Sequence, residues 1–183
     1  MTVILVFDTE TSGLVGKDDN VYVCQLAWCT YNTITKRKAT YNNFVLNVPI
    51  EITNSHIHGI TTEISNKGYD FSEIIDIFLE DLSSCNMIVA HNIQYDLQAL
   101  EIELNRLERY NDIDYLYNKK YYDTMKESIQ LLKIKGKYGY KYPKLQELYK
   151  HFFGCNFEGA HDAQEDIRAT LKCYNKLNSI NKS

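Results

Sequence analysis

Long apolar runs are missing from this sequence: the longest, Val3 to Phe7, falls far short of the ~20 residues that cross a bilayer. Nor does a basic segment followed by a long apolar one head the chain, so neither a leader peptide nor a membrane anchor is expected. Cysteine is present without the spacing that would give it work. Cys24, Cys29, Cys85, Cys155 and Cys173 form no C-x-x-C pair, and their odd number excludes a complete disulfide framework. Cys155 lies close to His161 in sequence, but no further ligands at zinc spacing accompany them. These cysteines read as core residues of a soluble protein in a reducing intracellular compartment. Proline occurs twice and tryptophan once, and no repeat or low-complexity linker divides the chain. A single domain over residues 1–183, with a polar tail at 178–183, is the expectation. Positive charge is also short: 20 Lys and Arg against 24 Asp and Glu leave a net charge of −4, which speaks against a long basic groove for a polyanion.

Acidic residues are present instead, in unusual places. The stretch VFDTETSGL at 6–14 carries a strand-like apolar run straight into Asp8 and Glu10. Side chains two apart on a strand share a face. At ~4 Å and an effective dielectric of ~20, two such carboxylates repel by roughly 4 kcal/mol, so a cation is expected between them. IVAHN at 88–92 reads as a second short strand, and YDLQAL after it as a helix start. That places Asp96 in or near the first turn, where the helix dipole favours an anion. In HDAQEDIRAT at 161–170, Asp162 and Glu165 form a capping-box pattern with His161 at N′ and Asp166 at N4. Those two positions face each other at a helix start, so an imidazole is expected beside a carboxylate. Four acids and a histidine suit metal-dependent phosphodiester hydrolysis. Hard divalent cations prefer carboxylate oxygens, and a neutral histidine can take a proton from water.

The motifs DTETSGL at 8–14, HNIQYD at 91–96 and HDAQED at 161–166 resemble, in order, those of the DEDD exonucleases of the histidine subclass. That group includes the proofreading subunits of bacterial replicases, the TREX-type exonucleases, ribonuclease T and oligoribonuclease. Softer likenesses to the proofreading branch, HGIT at 58–61, YDT at 122–124 and LQELYKHFFG at 145–154, extend the resemblance over nearly the whole chain. Tyr95 departs from it, standing where that branch commonly has Phe. The resemblance implies Asp8, Glu10, Asp96 and Asp166 as ligands of two divalent ions, Mg²⁺ or Mn²⁺, and His161 as general base. It implies a 3′→5′ exonuclease releasing nucleoside 5′-monophosphates, with DNA favoured. Its partners would be single-stranded or frayed 3′ ends and a DNA polymerase. An RNA-directed exoribonuclease and a non-catalytic module that binds nucleic acid or docks on a polymerase are the alternatives.

Periodicity gives strands near 2–8, 21–30 and 37–47, the last two joined by a turn at Asn32–Lys36. A helix follows over 71–82 with Ile74, Ile75, Phe78, Leu79 and Leu82 on one face, capped by Asp70 with Glu73. A strand near 86–90, a helix over 94–107 carrying Leu97, Leu100, Leu104 and Leu107, a short strand near 120–123 and three more helices complete the chain. Three meandering strands followed by strands alternating with helices predict a mixed α/β sheet covered on both faces. The family resemblance makes that a ribonuclease H-like fold. It also implies substrate contacts at Thr9, Thr11, Gly13, Leu14 and His58, with Leu14 wedged against a terminal base, and at Asn92. Asn92 reads equally as a turn residue capping its helix. Separately, KIKGKYGYKYPK at 133–144 holds five lysines and no acid, interleaved with Tyr138, Tyr140 and Tyr142. That mixture suits single-stranded nucleic acid, with Lys137 and Lys141 as candidate contacts, or else a solvated basic loop.

Overall fold

Alternation along the first strand decides what lies on each side of the sheet. In the computed structural model, which describes residues 3–36 and 39–180, Leu5 and Phe7 of β1 (Val3–Thr11) enter one apolar cluster, while Ile4 and Val6 enter another. The first cluster is closed by α3 (Phe71–Ser83) and α4 (Ile93–Arg106), the second by α8 (Ala163–Ile180) through Ile167, Leu171 and Tyr174. Side-chain alternation then places Asp8 and Glu10 on the face of α8, and Thr9 on the opposite face, towards α4.

The remaining strands are β2 (Val23–Asn32), β3 (Thr40–Val45), β4 (Met87–Ala90) and β5 (Tyr121–Asp123). Their order in the five-stranded sheet is β3-β2-β1-β4-β5, so β1 is central. It runs antiparallel to β2 and parallel to β4, and β4 runs parallel to β5. This is the mixed, two-sided sheet that the sequence predicts, and the fold is ribonuclease H-like. Beyond β3 come the one-turn helices α1 (Ser55–His58) and α2 (Thr62–Ser65). Between β4 and β5, α4 is followed by α5 (Tyr110–Asn118). After β5 come α6 (Thr124–Leu132), a small ladder of β6 (Lys135–Gly136) with β7 (Gly139–Tyr140), and α7 (Leu145–Phe153).

Several boundaries differ from the sequence reading. β1 continues to Thr11, with an irregularity in its pairing between Glu10 and Thr11, so both carboxylates sit within the strand. Leu107 lies at the C-cap of α4 and is 40% exposed, outside the apolar stripe of Leu97, Leu100 and Leu104. Asp70 caps α3 by accepting from the Ser72 N–H at 2.7 Å. The turn after β2 is closed by Asn32, whose Oδ1 accepts from the N–H groups of Ile34 and Thr35, each at 3.0 Å. Helix α8 carries through Asn178 to Ile180, so half of the expected polar tail is helical; its last three residues, and 37–38 at the start of the expected third strand, lie outside the described residues. Among the described residues, no helix is long and apolar enough to cross a membrane.

Candidate active site

Three elements deliver the acids to one place. β1 presents Asp8 and Glu10 at its carboxyl end, and the first turns of α4 and α8 present Asp96 and Asp166. All four line a cleft of about 440 Å³ together with His161. The intervening Thr9 positions one of them. Its N–H donates to Asp96 Oδ1 at 3.0 Å and its hydroxyl to the same oxygen at 2.8 Å, in a buried setting. This two-point grip ties α4 to β1 across the sheet surface. Thr9, read from the sequence as a substrate contact, lines the cleft and also orients the Asp96 carboxylate.

The start of α8 is held by a different device. Gly159 and His161 both adopt positive φ, 74° and 70°, turning the chain sharply into the helix. A Cβ on Gly159 would stand 2.9 Å from Glu165 Cγ, so this position requires glycine. Asp162 Oδ1 caps the helix by accepting from the Gln164 N–H at 2.9 Å, whereas Glu165 turns outward to Arg168 at 3.0 Å instead of completing the capping box. Gln25 on β2 accepts from the Ala163 N–H at 3.3 Å, pinning α8 to the sheet. His161 and Asp166 do meet: the His161 N–H donates to Asp166 Oδ2 at 3.3 Å. The donor atoms of Glu10, Asp166 and the His161 ring lie within 4.8 Å of one another, close enough to share an ion.

Electrostatics show the strain of this gathering. Burial pushes Asp8 well above the usual carboxylate range, and the charges of Asp96, Asp166, Glu10 and Asp162 push it further. Burial, then Asp166 and Asp96, raise Glu10 to about 8. Asp166 is raised to about 7, chiefly by burial. Asp96, only 3% exposed, also reaches about 7 by burial, even though the Thr9 hydrogen bonds favour its charged form. Asp166 Oδ1 is buried and accepts no hydrogen bond. A buried oxygen without a donor, among carboxylates that repel one another, fits a hard divalent cation held by oxygen ligands.

The other expected contacts divide between two pockets. Asn92 lines the main cleft; it caps α4 in the left-handed conformation, φ 73°, with no side-chain bond to the helix, which leaves its amide available. Thr11, Gly13, Leu14 and His58 line an adjoining pocket of about 300 Å³ that shares Glu10, Tyr95 and His161 with the cleft. Leu14 is 53% exposed there. Burial and the nearby His161 lower the pKa of His58. Lys137 and Lys141 line neither pocket; Lys141 is paired with Glu147 at 2.6 Å, while Tyr142 and Lys144 from the same segment do face the cleft.

Other residues support the site through contacts that the sequence did not show. Asp123, at the end of β5, accepts from the N–H groups of Asn92 at 3.1 Å and Met125 at 3.0 Å, joining β5 and α6 to the start of α4. Tyr95 shares a 2.8 Å hydrogen bond with Thr11 Oγ1, and Asn54 Nδ2 donates to the Thr11 carbonyl at 2.8 Å. His91 lines the cleft with Nε2 2.9 Å from the Pro143 carbonyl. Burial lowers its pKa, so the ring is neutral near pH 7 with Nε2–H donating. None of these contacts follows from local periodicity; YDT and the His of HNIQYD were the available signals. Replacing Thr9 with Val should cost activity by roughly 10–100-fold, the usual effect of losing a group that orients a metal ligand. Thr9→Ser should recover most of it, as steady-state rates over a range of Mn²⁺ concentrations would show.

Comparison with known proteins agrees with this geometry. The exonuclease family RNase_T matches residues 5–174. DNA polymerase III subunit epsilon of Treponema pallidum is 25% identical over 171 residues, covering 93% of this chain and 74% of that protein. The PolC-type DNA polymerase III of Clostridium perfringens is likewise 25% identical over 171 residues, 92% of this chain but only 11% of its own length. Among solved structures, E. coli exonuclease I in complex with a dT13 oligonucleotide superposes with a TM-score of 0.74 at 15% identity, covering 98% of this chain and 41% of that one. Exonuclease X in complex with 5′-overhanging duplex DNA gives 0.62 at 19% identity, with 98% and 92% coverage. With the family match spanning the sheet, the acids of all three motifs and most of α8, the chain belongs to the RNase_T exonuclease family, within the DEDD superfamily.

Proposed function

We propose that this protein removes nucleotides one at a time from the 3′ end of nucleic acid, DNA in preference to RNA, and releases nucleoside 5′-monophosphates. The observation that carries the reading is the convergence of four largely buried carboxylates, one with an unpartnered oxygen, beside an imidazole. Asp8, Glu10, Asp96 and Asp166 would hold two divalent ions, Mg²⁺ or Mn²⁺. When bound, such ions supply charge neutralisation at the phosphate and lower the pKa of water. The protein's own groups do the rest. His161 is exposed, with its ring near Glu10 and Asp166, and would take a proton from the attacking water. Oxygen attacks phosphorus, the bond to the 3′ oxygen of the preceding nucleotide breaks, and that oxygen leaves with a proton from solvent. Asn92 and the turn from Thr11 to Leu14 hold the terminal nucleotide, with Leu14 against its base. The polymerase relatives extend the proposal to work at frayed primer ends beside a DNA polymerase.

A net charge of −4 fits contact with a few terminal nucleotides, since a long phosphate track demands a basic groove. Digestion of matched 5′-labelled DNA and RNA strands tests the proposal. A ladder shortening from the unlabelled end, faster on DNA, is expected; retention of uncut strands would favour a binding module, and preference for RNA an exoribonuclease. His161→Ala should lower turnover by about 10²–10⁴-fold, the usual contribution of a general base. Calorimetric Mn²⁺ binding should largely persist in that variant, and full activity would remove His161 from the role.

A further inference from the structure

The segment 133–144 rises beside the cleft as an ordered hairpin. After Lys133 ends α6 in the left-handed conformation, Lys135–Gly136 pairs with Gly139–Tyr140, and Gly139, at φ 120°, makes the reversal. Its far end is fixed to the site: the Pro143 carbonyl accepts from the His91 Nε2–H, and Tyr142, Pro143 and Lys144 form part of the cleft wall. The hairpin displays its aromatics outward. Tyr138 is 90% exposed and Tyr142 62%. The Lys137 ammonium lies 5.0 Å from the centre of the Tyr138 ring. Among the described residues neither Lys135 nor Lys137 has an acidic partner within ion-pair distance, whereas Lys141 is neutralised by Glu147. In a chain of net negative charge, this is an island of cations and open ring faces leading to the acids.

We propose that the hairpin is a track for the single-stranded nucleotides immediately upstream of the 3′ end, with Tyr138 and Tyr142 stacking on bases and Lys135 and Lys137 pairing with phosphates. The proposal rests on the exonuclease reading of the cleft. Stacking on exposed rings is sequence-tolerant, and each base so held contributes roughly a factor of 5–150 in affinity, from about 1–3 kcal/mol. Of the two lysines that the sequence suggested, Lys141 is already paired with Glu147, so Lys135 joins Lys137 as a cation of the proposed track.

Fluorescence anisotropy of a 5′-labelled 12-mer oligothymidylate, measured in an Asp8→Asn background with Mg²⁺ across a KCl series, tests this. The Lys135→Gln/Lys137→Gln pair should weaken binding tenfold or more at low salt and reduce the slope of log K against log [salt] by about 1.4, from ~0.7 per phosphate. Tyr138→Ala should weaken binding about tenfold with little change in slope. Both sites are exposed, and melting curves confirm folding. Affinities within twofold of the parent in both variants would overturn the track, and so would loss in the lysine variant alone, which signals plain charge attraction. Equal losses for heparin and for the oligonucleotide would do the same. Failure of the exonuclease reading is separately visible: wild-type protein would then leave the 12-mer undigested, while the anisotropy would still report on the hairpin.

Discussion

Asp8→Asn should lose exonuclease turnover by about 10³-fold or more and yet melt at a higher temperature than the wild type in metal-free buffer at pH 8. The two halves of this result have one cause. Asp8 is buried and surrounded by Asp96, Asp166, Glu10 and Asp162, so in the absence of cations its charge is destabilising. An amide of nearly the same shape removes that charge. A gain of about 2 kcal/mol would raise the melting temperature by roughly 4–8 °C for a domain of this size. The loss of activity is expected because, in the proposed mechanism, the same carboxylate would hold ions whose charge stabilisation is worth several kcal/mol at the transition state. Steady-state digestion and thermal melting of one preparation measure both. A variant that is inactive and also less stable would point to a structural role for Asp8, and an active one would remove it from the site.

Metal-free wild-type protein should become less stable as pH rises from about 4 to 8. A carboxyl whose folded pKa lies above its unfolded value holds its proton more tightly when folded. Stability is therefore greatest below the unfolded value, ~4, and falls as pH climbs through the folded values of about 7 for Asp96 and Asp166 and about 8 for Glu10. A tenfold difference in proton affinity between the folded and unfolded chain is worth about 1.4 kcal/mol, so the loss across this window should reach several kcal/mol. Divalent ions bind the ionised form and should oppose the loss: Mn²⁺ at 100 times its Kd adds about 2.7 kcal/mol. Melting temperatures with EDTA and with Mn²⁺ should accordingly diverge at pH 8 and nearly coincide at pH 5. A metal-independent profile rising towards pH 8 would show that these carboxyls are not strained in the folded protein.

What the sequence revealed, and what it hid, follows the range of the forces involved. Asp8 and Glu10 were legible because a strand's two-residue period puts neighbours of that spacing on one face. The Asp166 setting was legible because N′ and N4 of a helix converge. Both are local. The mixed, two-sided character of the sheet followed from strands alternating with helices, whereas its strand order, β3-β2-β1-β4-β5, did not. The bond from Thr9 to Asp96 was hidden because the two are distant in sequence, and only packing of α4 on β1 brings them together. The same holds for Asp123 with Asn92 and for His91 with Pro143. The one-turn helices α1 and α2 are too short to show a period. Lys141 looked free for substrate because its partner, Glu147, belongs to the next helix, and the turn at the start of α7 closes the pair.

If the four carboxylates act together, through bound divalent ions, on the 3′ end of a strand, then metal binding and digestion must rise and fall as one. Protein stripped with EDTA and dialysed should leave a 5′-labelled single strand intact. Added Mn²⁺ should restore shortening from the 3′ end with release of nucleoside 5′-monophosphates, at a rate that follows the calorimetric binding isotherm and vanishes with it in Asp166→Asn. Undiminished digestion in EDTA, or Mn²⁺ binding that Asp166→Asn leaves untouched, would contradict the account.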